Sequence, residues 1–287
     1  MDKPLVSVIM GVYNQWDEKI LYDAVKSILA QTYKKFEFII WNDGSHPRVG
    51  QMIKCLDELD DRIVVVGKEE NRGLAFSLNE CIRIAKGKYI ARMDADDISL
   101  PQRLERQVKF LESNPQYGWC GTCVELIDEN GVWGVRMMTE EPNRKDYYRY
   151  SPFVHPSVMF RAELFGAEHR YRENEETLRC EDYEMFMSLM QNGVRGYNIQ
   201  EILFQYRENK DSYNKRSIKT RINETKIRYR NFKKMNILFP IGWLFVLRPI
   251  VACAIPTRLL GFIKRAEGKR MKNFENDKDM VEREKYA

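Results

Sequence analysis

The sequence predicts an α/β protein built around a doubly wound sheet, and three observations support this fold class. In the first half of the chain, short apolar runs alternate with segments whose apolar residues recur every three or four positions. The connections between these segments are short, which is typical of βαβ units. In addition, polar and acidic clusters follow several of the predicted strands, at the edge of the sheet where α/β proteins bind ligands.

The first half of the chain supports this class element by element. Residues 5–12 are apolar almost throughout, as expected for a strand that is buried on both faces of a parallel sheet. Residues 17–31 then carry apolar side chains at the spacing of one helical face. The same alternation predicts further strands at 36–41, 62–67 and 88–93, and helices at 49–59, 74–85 and 101–113.

Beyond residue 113 the pattern changes. Strands at 118–126 and 132–137 flank a turn at 128–131, which predicts an antiparallel pair. An apolar stretch at 237–263 lies near the end of the chain and is interrupted by prolines and arginines. Between them we expect an extended segment at 157–160, a helix at 181–191, a strand at 202–206 and a very basic helix at 215–234.

The net charge of +5 is unevenly distributed along the chain. Residues 1–212 carry −7, residues 213–272 carry +14 and residues 273–287 carry −2. We therefore expect an α/β domain at 1–212, a basic amphipathic and apolar helical region at 213–272, and a charged, flexible tail at 273–287. The N-terminus shows no secretory signal, which predicts a cytoplasmic protein. Cys120 and Cys123 have no second cysteine pair, so we interpret them as reduced thiols in a strand.

Asp94, Asp96 and Asp97 follow the strand predicted at 88–93 and are the most informative residues of the sequence. Three neighbouring carboxylates repel one another unless a cation lies among them. Hard oxygen ligands suit a divalent ion, Mn²⁺ or Mg²⁺, that also binds substrate phosphates. The alternative is an N-cap for the helix after Pro101, but a cap needs only one aspartate.

Four further polar clusters occur at 12–14, 42–45, 71–74 and 181–183. The first two follow strands, and the third opens a helix whose free N–H groups favour phosphate. The fourth begins a later helix. The clusters of the first half should converge on one crevice, because the carboxyl ends of parallel strands meet at the same edge of a sheet.

Together these motifs resemble those of the family 2 inverting glycosyltransferases, which are common in bacterial surface-polysaccharide biosynthesis. The resemblance implies the GT-A fold, a Rossmann-like doubly wound mixed sheet, here with a basic, apolar C-terminal helical extension. It covers residues 4–210 and rests on VSVIMGVYN (6–14), NDGS (42–45), NRGLAFSLN (71–79), DADDISLPQRLERQ (94–107), HPSVMF (155–160), CEDYEMFM (180–187) and YR (206–207).

The resemblance implies a nucleotide-sugar donor, either a UDP-sugar or a dTDP-sugar. Asp43 would accept a hydrogen bond from N3–H of uracil, and Val12 and Tyr13 would lie near the base. Arg72 would lie by the base or the diphosphate. Many relatives have Asp-Asp-Gly-Ser where this chain has Asn42 before Asp43, and this departure leaves uracil or thymine open.

The resemblance also implies roles around the reacting atoms. Asp94 and Ala95 would contact the nucleotide-sugar, and Asp96, in the family's DXD motif, would bind the divalent metal. Asp182 would be the general base, remote in sequence from the metal site, as an attack on the opposite face of the sugar requires. The candidates for the acceptor or diphosphate site are His155, Glu181 and Arg207.

Simpler interpretations exist for several of these residues. Glu181 and Asp182 could be first-turn acids that favour the helix dipole. His155 could be a turn histidine, and Arg207 could form a surface ion pair. For the whole chain, the alternative is a catalytically inactive, nucleotide-sugar-binding membrane scaffold. The presence of Asp182 in addition to an intact acidic motif argues against this alternative.

The basic, apolar region at 213–272 calls for its own explanation. Its apolar runs are too short, or too interrupted by charge, to cross a bilayer. Basic flanks around an apolar, aromatic centre are typical of helices that lie on anionic lipid. We therefore expect a peripheral protein on the cytoplasmic face of the inner membrane. The family resemblance implies a lipid-linked glycan as the acceptor. A homodimer interface and a helix packed on the catalytic domain are the alternatives, and no motif for nucleic acid accompanies the charge.

Overall fold

The computed structural model describes residues 3–166, 170–208, 217–252, 265–269 and 271. The tail expected at 273–287 lies outside these residues. The described strands are β1 (Val6–Val12), β2 (Phe36–Asp43), β3 (Ile63–Lys68), β4 (Tyr89–Arg92), β5 (Ile98–Ser99), β6 (Tyr117–Asp128), β7 (Gly131–Arg136), β8 (Met159–Arg161) and β9 (Arg195–Arg207). The longer helices are α1 (Glu18–Leu29), α2 (Pro47–Lys54), α3 (Leu74–Ile84), α4 (Arg103–Ser113), α5 (Glu181–Gln191), α6 (Ile218–Lys234) and α7 (Gly242–Val251).

The strands form one mixed sheet in the order β3-β2-β1-β4-β8-β6-β9-β5, with β7 paired to β6. Strands β1 to β4 are mutually parallel, and β8 is antiparallel to both β4 and β6. The order 3-2-1-4 places a topological switch point between β1 and β4, where α/β sheets bind ligands. The predicted doubly wound sheet and the antiparallel β6–β7 pair are both confirmed.

Helices cover both faces of the sheet, because alternate residues of the central strands point to opposite sides. In β1, Val8 and Met10 face a core that is shared with α1, α2 and α4. Ile9 faces the other core, which contains residues of α3 and α5. The near-continuous burial of β1 and β2 agrees with sequences that are apolar over most of their length.

Helix α6 belongs to the second core. Ile227 and Phe232 are fully buried there, and Val246 of α7 packs in the same cluster. The buried Arg228 forms an ion pair with Glu224 and donates from Nη1 to the Tyr148 carbonyl at 2.8 Å. The described part of the basic region is thus attached to the α/β domain by apolar packing and by a satisfied buried cation.

Several predicted boundaries differ from the structure. The helix expected at 49–59 is α2 followed by a separate 3₁₀ turn at Asp57–Leu59. Strand β9 begins at Arg195, well before the predicted 202, and the two-residue β5 was not predicted. The extra part of β9 is polar, but Asn198 is buried and donates to the carbonyls of Thr139 and Pro152. Tertiary hydrogen bonds therefore stabilise this strand where apolar alternation is missing.

Candidate active site

The three aspartates predicted to bind a metal lie just after β4, at the switch point of the sheet. One carboxylate oxygen from each of Asp94, Asp96 and Asp97 lies within 4.8 Å of the other two. Asp94 and Asp96 are half-buried, and Asp97 is buried. Ala95, between Asp94 and Asp96, is partly buried against the first core. Oxygen ligands at this spacing are suited to a hard divalent cation.

The family resemblance implied individual roles for Asp94 and Asp96 but none for Asp97. Its Oδ1 accepts from the Arg207 backbone N–H at 2.7 Å, but Oδ2 accepts no hydrogen bond from any residue that the structure describes. Burial, and then the charges of Asp96 and Asp94, raise the pKa of Asp97 well above its usual value. A buried carboxylate oxygen without a donor, beside two further acids, fits a divalent cation as its partner.

Two arginines border the aspartate cluster. Arg92, the last residue of β4, is buried, and its Nη1 lies 2.5 Å from Asp94 Oδ1. Arg207, at the end of β9, donates from Nε to the Asp96 carbonyl at 2.7 Å. Arg207 therefore contacts the aspartate cluster, and its role at the acceptor or diphosphate site stays a prediction. Arg92 was missed, and the only signal for it was a charged residue inside an apolar run.

The predicted base-binding residue, Asp43, lies at the end of β2 and is buried. Its carboxylate accepts from the backbone N–H of Arg72 at 3.0 Å and of Gly73 at 2.7 Å, and from Asn71 Nδ2 at 2.8 Å. Gly73 is the N-cap of α3 and has φ +90°, a conformation that favours glycine. Asp43 thus joins the motif at 42–45 to the motif at 71–74, and the expected convergence of these clusters is confirmed.

The turn after β1 is also tied to the turn after β2. The Asn14 backbone N–H donates to Ser45 Oγ at 3.0 Å, and Asn14 Oδ1 accepts from the His46 N–H at 2.8 Å. Val12 is buried, whereas the Tyr13 side chain is 54% exposed. An exposed ring at the end of β1 is available to stack on a flat ligand.

Glu181 and Asp182 lie in the first turn of α5. Burial, and then repulsion by Asp182, raise the pKa of Glu181 to about 7. The positive charges of Arg92 and Arg179 partly oppose this shift. Arg92 therefore interacts electrostatically both with Glu181, in the first turn of α5, and with Asp94 of the aspartate cluster.

The His155 side chain is buried in the protein and is not exposed at the site. It is 7% exposed, and its Nε2 lies 2.7 Å from the Tyr171 hydroxyl. Burial, and then the positive charge of Arg92, hold the pKa of His155 well below its usual value, so the imidazole is neutral. Any role of His155 at an acceptor site would thus be indirect, through a neighbour such as Tyr171.

A mixed sheet with three aspartates at its switch point is the architecture of the GT-A glycosyltransferases, which use nucleotide-sugar donors. The family model for Glycosyl transferase family 2 matches residues 7–167, and the chain belongs to that family.

Comparisons with individual proteins agree with this assignment. The chain is 35% identical over 272 residues to EpsE of Bacillus subtilis (strain 168), which is named as a glycosyltransferase, with 94% of this chain and 95% of EpsE covered. It is 28% identical over 277 residues to the UDP-Gal:alpha-D-GlcNAc-diphosphoundecaprenol beta-1,3-galactosyltransferase of Escherichia coli, covering 91% and 96%. The mannosyltransferase PcManGT from Pyrobaculum calidifontis, solved with GDP-Man and Mn²⁺, superimposes with a TM-score of 0.62 at 17% identity, covering 96% and 85%.

Proposed function

We propose that this enzyme transfers a sugar, with inversion, from a UDP-sugar to a hydroxyl group of a lipid-linked or growing surface glycan. The observation that carries the proposal is the presence of two acid groups, far apart in sequence, that both interact electrostatically with Arg92. Asp94, Asp96 and Asp97 follow β4, whereas Glu181 and Asp182 begin α5. The E. coli relative, whose name gives UDP-Gal as donor and a diphosphoundecaprenol-linked sugar as acceptor, supports both halves of the proposal.

The donor base would bind between Tyr13 and Asp43. A carboxylate has about four lone-pair positions, and three donors from residues 71–73 already contact Asp43. One position remains for a base N–H, such as N3–H of uracil or thymine. Arg72 is next to this position, and its guanidinium packs 3.9 Å above the Phe76 ring, which orients it beside the start of α3.

Asp96 would bind a divalent ion directly, with Asp94 and Asp97 beside it. When bound, Mn²⁺ or Mg²⁺ stabilises the negative charge that develops on the departing diphosphate. Arg207 holds the Asp96 carbonyl through its Nε and the Asp97 carboxylate through its backbone N–H. Arg92 neutralises part of the negative charge of the cluster through Asp94. The chain thus keeps three acids together without relying on the ion alone.

Asp182 would accept the proton of the acceptor hydroxyl. The acceptor oxygen forms a bond to the anomeric carbon while the bond from that carbon to the diphosphate oxygen breaks. The proton moves to Asp182, and the nucleoside diphosphate leaves with the bonding electron pair. Attack on the face opposite the leaving group inverts the anomeric centre. The raised pKa of Glu181 provides a neighbour that is largely protonated below pH 7, which limits charge repulsion at Asp182.

The test compares Asp182→Asn with Glu184→Gln. Glu184 also lies in the first turn of α5, so this control separates base catalysis from a general effect of helix-start acids. We expect Asp182→Asn to lower kcat by ~10²-fold or more while the Kd for UDP-sugar stays within twofold of the wild type. Glu184→Gln should leave kcat nearly unchanged. Weaker donor binding with unchanged kcat in Asp182→Asn would show that Asp182 is not the base.

For the cellular location, we propose peripheral attachment to the cytoplasmic face of the inner membrane through α6 and α7. No helix among the described residues is both long and apolar enough to cross a bilayer. The outer face of α7 exposes Trp243, Leu244, Leu247, Ile250 and Val251, which recur at helical spacing, whereas Gly242, Val246 and Pro249 face inwards. The exposed face of α6 combines apolar and basic residues, namely Ile218, Ile222, Lys226, Tyr229 and Lys233. Such a surface fits anionic lipid.

A further inference from the structure

Tyr171 lies between α3 and α5, and no motif of the sequence indicated a role for it. It is 2% exposed, and its hydroxyl lies 2.7 Å from Nε2 of the neutral His155. The His155 ring in turn packs edge-to-face against Phe186 of α5 at 6.0 Å between centroids. The Tyr171 hydroxyl is therefore attached, through one buried ring, to the helix that carries Asp182.

The backbone of Tyr171 is fixed to α3. Asn79 Oδ1 accepts from the Tyr171 N–H at 3.0 Å, and Asn79 Nδ2 donates to the Tyr171 carbonyl at 2.8 Å. The same Nδ2 donates to Glu173 Oε1 at 2.8 Å, and Glu173 Oε2 lies 3.9 Å from Arg72 Nη2. One amide side chain thus pairs with both backbone groups of Tyr171 and connects this segment to the nucleotide side of the site.

The Tyr171 hydroxyl also lies within electrostatic reach of both acid groups. Burial raises the pKa of Tyr171, Arg92 opposes this shift, and Asp182, Glu181 and Asp94 add to it. The phenol is thus neutral and can only act as a hydrogen-bonding and packing group. Because it is not exposed, it does not contact substrate and is not itself a catalytic residue.

We infer that Tyr171 is a positioning residue, which acts with His155 and Asn79 to hold Asp182 against the reacting centre defined by the donor site. This inference rests on the proposed role of Asp182 as base. A base displaced by about 1 Å can lose ~10²-fold in rate. Without a link between α3 and α5, the start of α5 would be free to move relative to the donor site. The Asn79–Tyr171–His155 chain removes that freedom by joining α3 to α5.

The test is a double-mutant cycle with Tyr171→Phe and Asp182→Asn. Tyr171→Phe keeps the ring and removes only the hydroxyl. We expect it to lower kcat by about 10- to 100-fold, with the KM and Kd for the UDP-sugar within twofold of the wild type. In the Asp182→Asn background the same change should lower kcat by less than twofold, because the group that it positions is already disabled.

Tyr148→Phe is the matched control. Tyr148 is also buried, and its hydroxyl donates to the Ile237 carbonyl at 2.6 Å, in the contact with the C-terminal helices. Its loss should lower thermal stability while leaving kcat within twofold of the wild type. If Tyr171→Phe proves too unstable to assay, two substitutions of His155 replace it. His155→Gln retains a hydrogen-bonding partner for the phenol and should keep more than half of the wild-type kcat. His155→Leu lacks that partner and should show a kcat well below half of the wild-type value.

The outcomes separate this inference from the proposed function. An equal loss of kcat from Tyr171→Phe in both backgrounds, or a loss confined to donor affinity, would overturn the positioning role and leave Asp182 as the base. Near-normal kcat for His155→Leu would overturn it as well. If Asp182→Asn itself turns over normally, the assignment of the base is wrong, and the positioning role is wrong with it.

Discussion

At the scale of single residues, Asp96 offers the most specific test of the metal site. We expect Asp96→Asn to abolish the part of UDP binding that depends on Mn²⁺, because a neutral amide is a poor ligand for a hard cation. Isothermal titration of UDP with and without Mn²⁺ measures this difference directly, independently of turnover.

The control for this substitution is Asp23→Asn, which removes an exposed carboxylate on α1 that pairs with Lys19. This variant should keep the full effect of Mn²⁺ on UDP affinity. An undiminished effect of Mn²⁺ in Asp96→Asn would contradict the assignment of this residue as a ligand.

Glu181 gives a prediction about pH. Its pKa is raised from 4.5 in the unfolded chain to about 7 in the folded protein, chiefly by burial. The folded state therefore retains a proton that the unfolded state loses, and the free energy of unfolding falls as pH rises from below 4.5 through 7. Glu181→Gln cannot ionise and avoids this loss.

We expect Glu181→Gln to match the wild type in stability near pH 4.5 and to exceed it at pH 8 by on the order of 1–3 kcal/mol. Urea unfolding at the two pH values measures the difference, and the acidic measurement is the internal control. The same stability difference at both pH values would show that Glu181 is not titrating between them.

At the scale of elements, α7 combines a buried face with an exposed apolar face, and the buried face changes how membrane binding must be tested. Phe232 and Ile227 of α6 lie in the core of the enzyme, so removal of the C-terminal region would also remove part of that core. Point substitutions on the outer face are therefore the informative variants.

We expect Leu244→Glu with Leu247→Glu to reduce sedimentation with anionic vesicles at least fivefold, because each buried leucine contributes about 2 kcal/mol and each nearby basic residue about 1 kcal/mol. The control is Val64→Glu on the edge strand β3, where the valine is 41% exposed. Val64→Glu should sediment like the wild type. Equal sedimentation of all three proteins would rule out α7 as the lipid-binding element.

At the scale of the whole molecule, the part of the sheet formed by β1 to β4 could be predicted from sequence, because its strands are largely apolar and its helices have a clear apolar face. The convergence of the motifs at 42–45 and 71–74 followed from topology alone, and the hydrogen bonds of Asp43 confirm it. The mixed part of the sheet, beyond β4, was harder to predict. Strand β9 is stabilised by buried side-chain hydrogen bonds from Asn198, and such partners have no local signal.

The same distinction applies to the site. The aspartates were recognisable because three adjacent carboxylates need a physical explanation wherever they occur. Tyr171 was not recognisable, because its environment is created by Asn79 and His155, which are distant in sequence. Arg92 is an intermediate case, since a buried strand that ends in a cation requires an acid nearby.

We expect this chain to release a nucleoside diphosphate from a sugar donor by using the aspartate cluster and Asp182. The most direct measurement is nucleotide release by the full-length protein from a panel of UDP- and dTDP-sugars, with Mn²⁺ or Mg²⁺ and a diphosphoundecaprenol-linked acceptor. We expect release from at least one UDP-sugar, dependent on the divalent ion and lost in Asp182→Asn. No release from any donor, together with no metal-dependent nucleotide binding, would contradict the account.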